Sequence, residues 1–406
     1  MTATDATDAT TPPPAAPADL RARQLDAIDE SGWGVPFRFF QPRNAVFWVY
    51  LWALAVGVLH TVDFFRDDVG NFGGALAGGG IAFAVYGGLW LAFLGGTNRY
   101  TPESPKLLAT AFAWGFFVAT AALALTINGA VLGLYAKTFG QSWTADWGAG
   151  LTAPFTEEGA KALGFVVILG LAPKLVRSAY DAFVVGAFIG LGFQIWENVL
   201  YVYQGAESHF GTGQPGSAIQ VIVLRSVVGI ASHALFSAIF CTGLFWILGW
   251  GAEPRRVVRG LVTMAFALVA HGVWDSAAAL GTTIFGNDAG PIVFMAIVLV
   301  IEIAAVLSVA KLASSSERGW MHDLLAPEVT AGVLRAAEVD ALAGSRRKQR
   351  KYVKSIHGHH DRKVARHVVE AGHDLAEAIA RSHGEETPQV AFARTEVLRV
   401  RAGVPA

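Results

Sequence analysis

The sequence predicts an all-α fold: a polytopic membrane helix bundle of about eight transmembrane helices, followed by a soluble helical C-terminal tail. Three observations predict it. Hydrophobic residues make up 53% of the 406-residue chain and charged residues only 16%, and the mean hydropathy is +0.44, above that of soluble globular chains. The apolar residues lie in continuous runs of about twenty, enough to cross a ~30 Å hydrocarbon core at ~1.5 Å per residue. Polar–apolar alternation is absent from those runs, which leaves helices as the spanning structure.

Taken in order, residues 1–44 read as a cytoplasmic N-terminal segment. Thr, Ala, Pro and Asp crowd residues 1–19, which predicts a disordered tail. No basic stretch precedes an apolar core there, so a signal peptide is not expected. The membrane domain is placed at 45–312. Its apolar runs lie near 45–60, 73–94, 107–135, 151–171, 180–203, 218–250, 257–280 and 291–312. The run at 218–250 exceeds one span and predicts a tilted helix, or one that extends beyond the membrane. Many of the 45 glycines lie in these runs, where they suit close helix–helix contact in lipid.

Residues 313–406 turn charged and predict a cytoplasmic helical tail. An amphipathic helix is expected over 328–342. The stretch 345–363 is basic and holds His357, His359 and His360, with His367, His373 and His383 beyond. These histidines are irregularly spaced among Arg and Lys, so the tail reads as a solvated surface near anionic lipid rather than a metal site.

Basic residues set the orientation. Arg38 and Arg43, Arg99 and Lys106, Lys174 and Arg177, Arg255, Arg256 and Arg259, then Lys311 and Arg318 mark alternate loops. The loops between them are poor in Lys and Arg. Both termini are therefore expected to be cytoplasmic, in a multi-pass protein of the cell membrane. The net charge of −1 gives no bulk attraction for nucleic acid, and no nucleic-acid partner is expected. The single cysteine, Cys241, excludes an intrachain disulfide and a Cys-rich zinc site.

Four polar clusters interrupt the apolar runs: Glu157, Glu158 and Lys161; Glu197 and Asn198; Ser232 and His233; His271 and Asp275. A strongly polar side chain at mid-membrane costs about 2.5–3.5 kcal/mol on insertion scales. The alternating orientation places Glu157 and Glu158, Glu197 and Asn198, and His271 and Asp275 in the outer part of their spans, with His233 at mid-depth, on the outer side if its helix starts near Ala218. Glu157 and Lys161 are four residues apart and share a helix face. His271 and Asp275 have the same spacing, so Asp275 is positioned to accept a hydrogen bond from the imidazole and set its tautomer. Gly186, Gly190 and Glu197 share a stripe. Ser226 and His233, seven apart, are expected on one face, with Arg225 as a further cation. Each cluster alone also fits a packing role; the set at one depth points to one shared site.

These blocks resemble a known family. Glu157-Glu158-Gly-Ala-Lys161 is similar to the EExxK motif of the PrsW family of membrane-embedded proteases. Phe193 through Glu197-Asn198, followed by Tyr201, resembles its FxxxEN block. Ser232-His233-Ala-Leu-Phe resembles the third block, and His271-Gly-Val-Trp-Asp275 the fourth, HxxxD. The resemblance covers about 151–276. It implies an all-helical protease related to the CAAX prenyl endopeptidase superfamily, acting on a membrane protein. A single-span anti-sigma factor cut at site 1 is the best-known kind of substrate. The tail after Lys311 departs from the compact family core.

The expected reaction is peptide hydrolysis near the extracytoplasmic face. Glu157 or Glu158 deprotonates water. His233 and His271 hold water, stabilise the oxyanion or ligate metal, and Glu197 completes the site. Lys161, Asn198 and Asp275 support it. Two chemistries fit. In one, Zn²⁺ is held by His233, His271 and Glu197; in the other no cofactor is used. The lack of a paired-His motif on one helix, and Lys161 beside the carboxylates, lean slightly to the metal-free version. HExxH and GxSG motifs are absent, and Tyr180-Asp181 has no GxGD partner. The rival readings are a proton- or cation-coupled transporter and a non-catalytic signalling scaffold. Against the first, no inverted repeat is visible and the polar groups do not line a path; the second leaves the buried carboxylates unexplained.

Overall fold

Continuous apolar runs with no alternation can satisfy their backbone only internally, and among the described residues every regular element is helical. The computed structural model describes residues 17–208, 212–229 and 232–403. The disordered tail expected over 1–19 lies outside the described residues up to residue 16. The rest of the expected disorder gives way to a helix, α1 (Ala18–Ser31).

The chain divides into two compact units, Pro36–Ser314 and the pair Met1–Val35 with Ser315–Ala406. The first contains α2 (Ala45–Arg66), α3 (Val69–Gly95), α4 (Pro105–Phe139), α5 (Ala149–Leu171), α6 (Ala179–Glu207), α7 (Gln214–Val228), α8 (His233–Leu248), α9 (Val257–Asp275), α10 (Ala277–Phe285) and α11 (Gly290–Ala313). Six stretches are long and apolar enough to cross a membrane: α2, α3, α4, α6, α9 and Gly290–Thr330, which begins with α11. The expectation of about eight counts two further runs, 151–171 and 218–250, which fall short of that length and apolarity for two physical reasons. Helix α5 carries Glu157, Glu158 and Lys161, whose charges lower its hydropathy. The run at 218–250 is not one helix. It breaks between Val228 and His233 into pieces of 15 and 16 residues, each shorter than the ~20 residues of a full crossing. Ser226 and His233 therefore do not share a helix face.

Helix α6 is the hub of this unit, with 89% of its most apolar window buried. Ser178 and Asp181 form a capping box at its start, so Asp181 serves the helix N-terminus. Its glycines let neighbouring backbones touch it. A Cβ at Gly190 would lie 2.2 Å from the His233 carbonyl oxygen, one at Gly186 2.6 Å from that of Ser237, and one at Gly192 2.1 Å from that of Phe112. Opposite, Gly115 lies in a π-helical stretch of α4, Trp114–Ala124, and its Cβ would meet the Ile189 carbonyl at 1.8 Å. The glycine stripe thus sets how closely α4 and α8 pack on α6.

The second unit joins α1 to α12 (Ser315–Thr330), α13 (Ala336–Leu342), α14 (Arg346–Ser355), α15 (His359–Arg381) and α16 (Pro388–Arg401). The amphipathic helix expected over 328–342 is interrupted, because the chain turns at Gly332 with φ +73°. Ile28, Leu324, Leu342, Leu375 and Val397 share its core. Gln24 Nε2 donates to the Leu324 carbonyl at 2.7 Å, and Trp320 Nε1 to Glu30 Oε2 at 2.8 Å. The N-terminal segment and the tail are thus parts of one body.

Candidate active site

Helix α5 supplies the centre. Pro154 lies inside this helix and has no N–H to donate back along it. One turn on, Glu157 and Glu158 enter the interior of the unit, with Lys161 beneath them. Glu158 has both oxygens engaged: Lys161 Nζ donates to Oε1 at 2.8 Å, and Ser237 Oγ donates to Oε2 at 3.0 Å. Glu157 is held by one oxygen only, Asn128 Nδ2 donating to Oε1 at 3.0 Å. Its Oε2 is buried without a hydrogen bond. That oxygen lies 3.5 Å from His233 Nδ1, 3.7 Å from His271 Nε2 and 3.6 Å from Lys161 Nζ.

His233 opens α8, immediately after the break in the 218–250 run. Its Nδ1 is 3.0 Å from Lys161 Nζ and its Nε2 is 2.9 Å from Glu197 Oε2. An ammonium has only donors, so Nδ1 accepts. The ring proton of the neutral imidazole then sits on Nε2 and is donated to Glu197. Arg225 holds Glu197 in turn, with Nη2 to Glu197 Oε2 at 2.5 Å and Nε donating to Asn198 Oδ1 at 2.8 Å. The Lys161 ammonium also lies over the Phe193 ring, 3.9 Å from its centroid.

His271, on α9, is fully buried, and neither ring nitrogen has a hydrogen bond. Its Nδ1 is 3.3 Å from Glu158 Oε1 and its Nε2 is 3.5 Å from Asp275 Oδ2. Asp275 is thus within ion-pair range, but the expected tautomer-setting hydrogen bond is not formed. Side-chain exposure rises from 0% at Lys161 and Glu158 to 14% at Glu197 and 21% at Asp275. The site therefore opens on the Glu197–Asp275 side.

The structure brings every residue nominated from the sequence into one connected group: Glu157, Glu158, Lys161, Glu197, Asn198, His233, His271 and Asp275. Sequence reasoning passed over Asn128 and Ser237, and noted Arg225 only as a nearby cation. Asn128 left a signal, a lone amide in the apolar run of α4. Glu302 left another: it is buried on α11 with neither carboxylate oxygen hydrogen-bonded.

Glu157, His233 and His271 form a group that can hold a metal, one ligand atom from each lying within 4.8 Å of the others. Two of the three, Glu157 and His271, offer buried atoms with no hydrogen bond, so the donor set fits a cation. The third carboxylate nominated for this role, Glu197, is instead taken up by Arg225 and His233. The metal-free expectation rests on the lack of two histidines on one helix and on Lys161 beside the carboxylates, and Lys161 Nζ does lie 3.6 Å from Glu157 Oε2. Here the donors come from α5, α8 and α9, a pattern that no linear motif displays.

A polytopic helix bundle with a buried carboxylate–imidazole centre defines a class: membrane proteins that do their chemistry within the bilayer. Residues 103–305, half of the chain, match the family described as PrsW family intramembrane metalloprotease, and the chain belongs to that family. Protease PrsW of Clostridioides difficile (strain 630) is 25% identical over 125 residues, 31% of this chain and 49% of that protein. The match thus spans about half the length of this curated relative. No solved structure matches the chain.

Proposed function

We propose that this protein is an endopeptidase that hydrolyses a peptide bond of a membrane protein, using water activated in the Glu157–His233–His271 group. One observation carries the reading: the buried, unbonded Oε2 of Glu157, within 3.7 Å of both imidazoles. Leaving a buried carboxylate oxygen unpaired is costly. An atom kept in that state is suited to receive a cation or the proton of an attacking water. Glu158 has no oxygen to spare, and its role is to hold Lys161 and, through it, the ring of His233. His271 has free nitrogens for passing a proton to the leaving amine. Glu197, anchored by Arg225, orients His233 from the more open side. A metal would be held by Glu157, His233 and His271; a bound divalent ion supplies carbonyl polarisation and a more acidic water.

The substrate we propose is a single-span membrane protein with an extracytoplasmic domain, cut at or just beyond the outer end of its span. The family resemblance implies an anti-sigma factor. The outer-face placement rests on the alternation of basic loops. The test uses the full chain in proteoliposomes with such a substrate, comparing wild type and Glu157→Gln with and without chelator, and mapping product termini by mass spectrometry. Cleavage is expected from the wild type only. Undiminished cleavage by Glu157→Gln overturns the assignment.

A further inference from the structure

Helix α14 works against its own stability. Six of its ten residues are Arg or Lys, its first turn holds no acidic residue, and none of its residues is buried. Cations in a first turn oppose the helix dipole. Like charges three and four residues apart, as at Arg346–Arg350, Arg347–Lys351 and Arg350–Lys354, repel. Ser345 caps the start, its Oγ accepting from Lys348 N at 3.4 Å, but that contact does not relieve the charge. An anion from outside the unit would.

Beside α14 lies a place for it. An open groove of ≈ 610 Å³ runs between α14 and α15, lined by Arg350, Lys354, Arg366, Val353, Val369 and Glu370. Among the described residues, none of the three cations is in an ion pair. Guanidinium and ammonium groups lining one groove with valine side chains match a phosphate joined to an acyl chain. The whole chain carries only −1, so this is a local charge segregation.

We propose that the basic face of α14 and the α14–α15 groove bind anionic phospholipid headgroups of the bilayer that holds this chain. Connectivity favours lipid over nucleic acid. A single residue, Ser314, separates the apolar helix α11 from α12. The unit is therefore tethered to a candidate membrane span, and a basic cluster on a tethered unit meets anionic headgroups at a raised effective concentration.

The test labels Ser355→Cys with an environment-sensitive fluorophore in the full chain; Cys241 is buried and stays unlabelled. The protein is placed in nanodiscs of phosphatidylcholine, alone or with about a third phosphatidylglycerol, each carrying a headgroup spin-label quencher. Quenching should be several-fold stronger in the anionic discs. It should collapse in about 1 M salt, where the Debye length is ~3 Å. It should also fall to the neutral-disc level in the triple variant Arg350→Gln, Lys354→Gln, Arg366→Gln. These side chains are surface groups, so the variant keeps its helical circular dichroism and remains a fair test. Equal quenching in both discs, or full quenching in the triple variant, overturns the proposal. So does a signal that responds to an added oligonucleotide but not to phosphatidylglycerol, which would point to nucleic acid.

Discussion

Glu157 and Glu158 are neighbours with the same chemistry and different surroundings, and that difference makes them separable. Glu157→Gln keeps the shape and removes the free anionic oxygen. It should lower turnover by about 10²–10⁴-fold, the usual worth of a positioned acid or base, with little change in thermal stability. Glu158→Gln should fail differently. Lys161 is wholly buried and 2.8 Å from Glu158, and breaking a buried ion pair costs about 3–5 kcal/mol. A lowered melting temperature alongside lost activity is the expected signature; a stable but inactive Glu158→Gln would move the reacting role to that residue. Arg225→Gln releases Glu197 without touching the Glu157 group. Turnover should fall about 10–100-fold, the range for a group that orients rather than reacts. An unchanged kcat would show that the Arg225 clamp is dispensable. The acids and imidazoles were legible in the sequence because a charge in an apolar run is conspicuous. Ser237 was not, because a serine in a membrane helix ordinarily bonds its own backbone.

Among the elements, the contact between α6 and α8 decides where His233 stands. Gly190 touches the His233 backbone, so Gly190→Ala must push α8 away and carry the imidazole with it. The cost should be about 1–3 kcal/mol, as for overpacking elsewhere, with activity lost in step. Gly88 on α3 is the control: a Cβ there meets nothing within 4 Å, so Gly88→Ala should be neutral or slightly stabilising. Equal effects at the two positions, measured by thermal unfolding in nanodiscs, would count against the packing argument. The break that starts α8 at His233 was hidden in the sequence, because hydropathy runs unbroken across 218–250 and a window average cannot register an interrupted backbone.

For the whole molecule, the division into two units makes a deletion informative. Residues 36–314 alone should insert, fold and cleave a supplied substrate, since the candidate site lies wholly within them. Removing 315–406 while keeping α1 should fare worse, because Ile28 and its neighbours lose the core they share with the tail. If 36–314 inserts normally and is inactive, the second unit belongs to the catalytic assembly. Orientation has its own test. Reporter fusions after Arg259 and after Asp288 should report cytoplasmic and external positions respectively; the reverse would move the site to the inner face.

Composition and charge pattern by themselves determined that this chain is helical, that it is a multi-pass membrane protein, and that its intramembrane acids and histidines belong together. These features are legible because lipid penalises each misplaced charge singly, so the charges retained stand out one by one. Only the tertiary structure decided which carboxylate oxygen is free, that Glu157 rather than Glu197 joins the two imidazoles, and that Arg225 and Asn128 hold the carboxylates. It alone joined the N-terminal helix to the tail. Those outcomes depend on which side chains meet across helices distant in sequence. A hydrogen bond between Asn128 and Glu157, or a core shared by Ile28 and Val397, leaves no periodicity along the chain to be read.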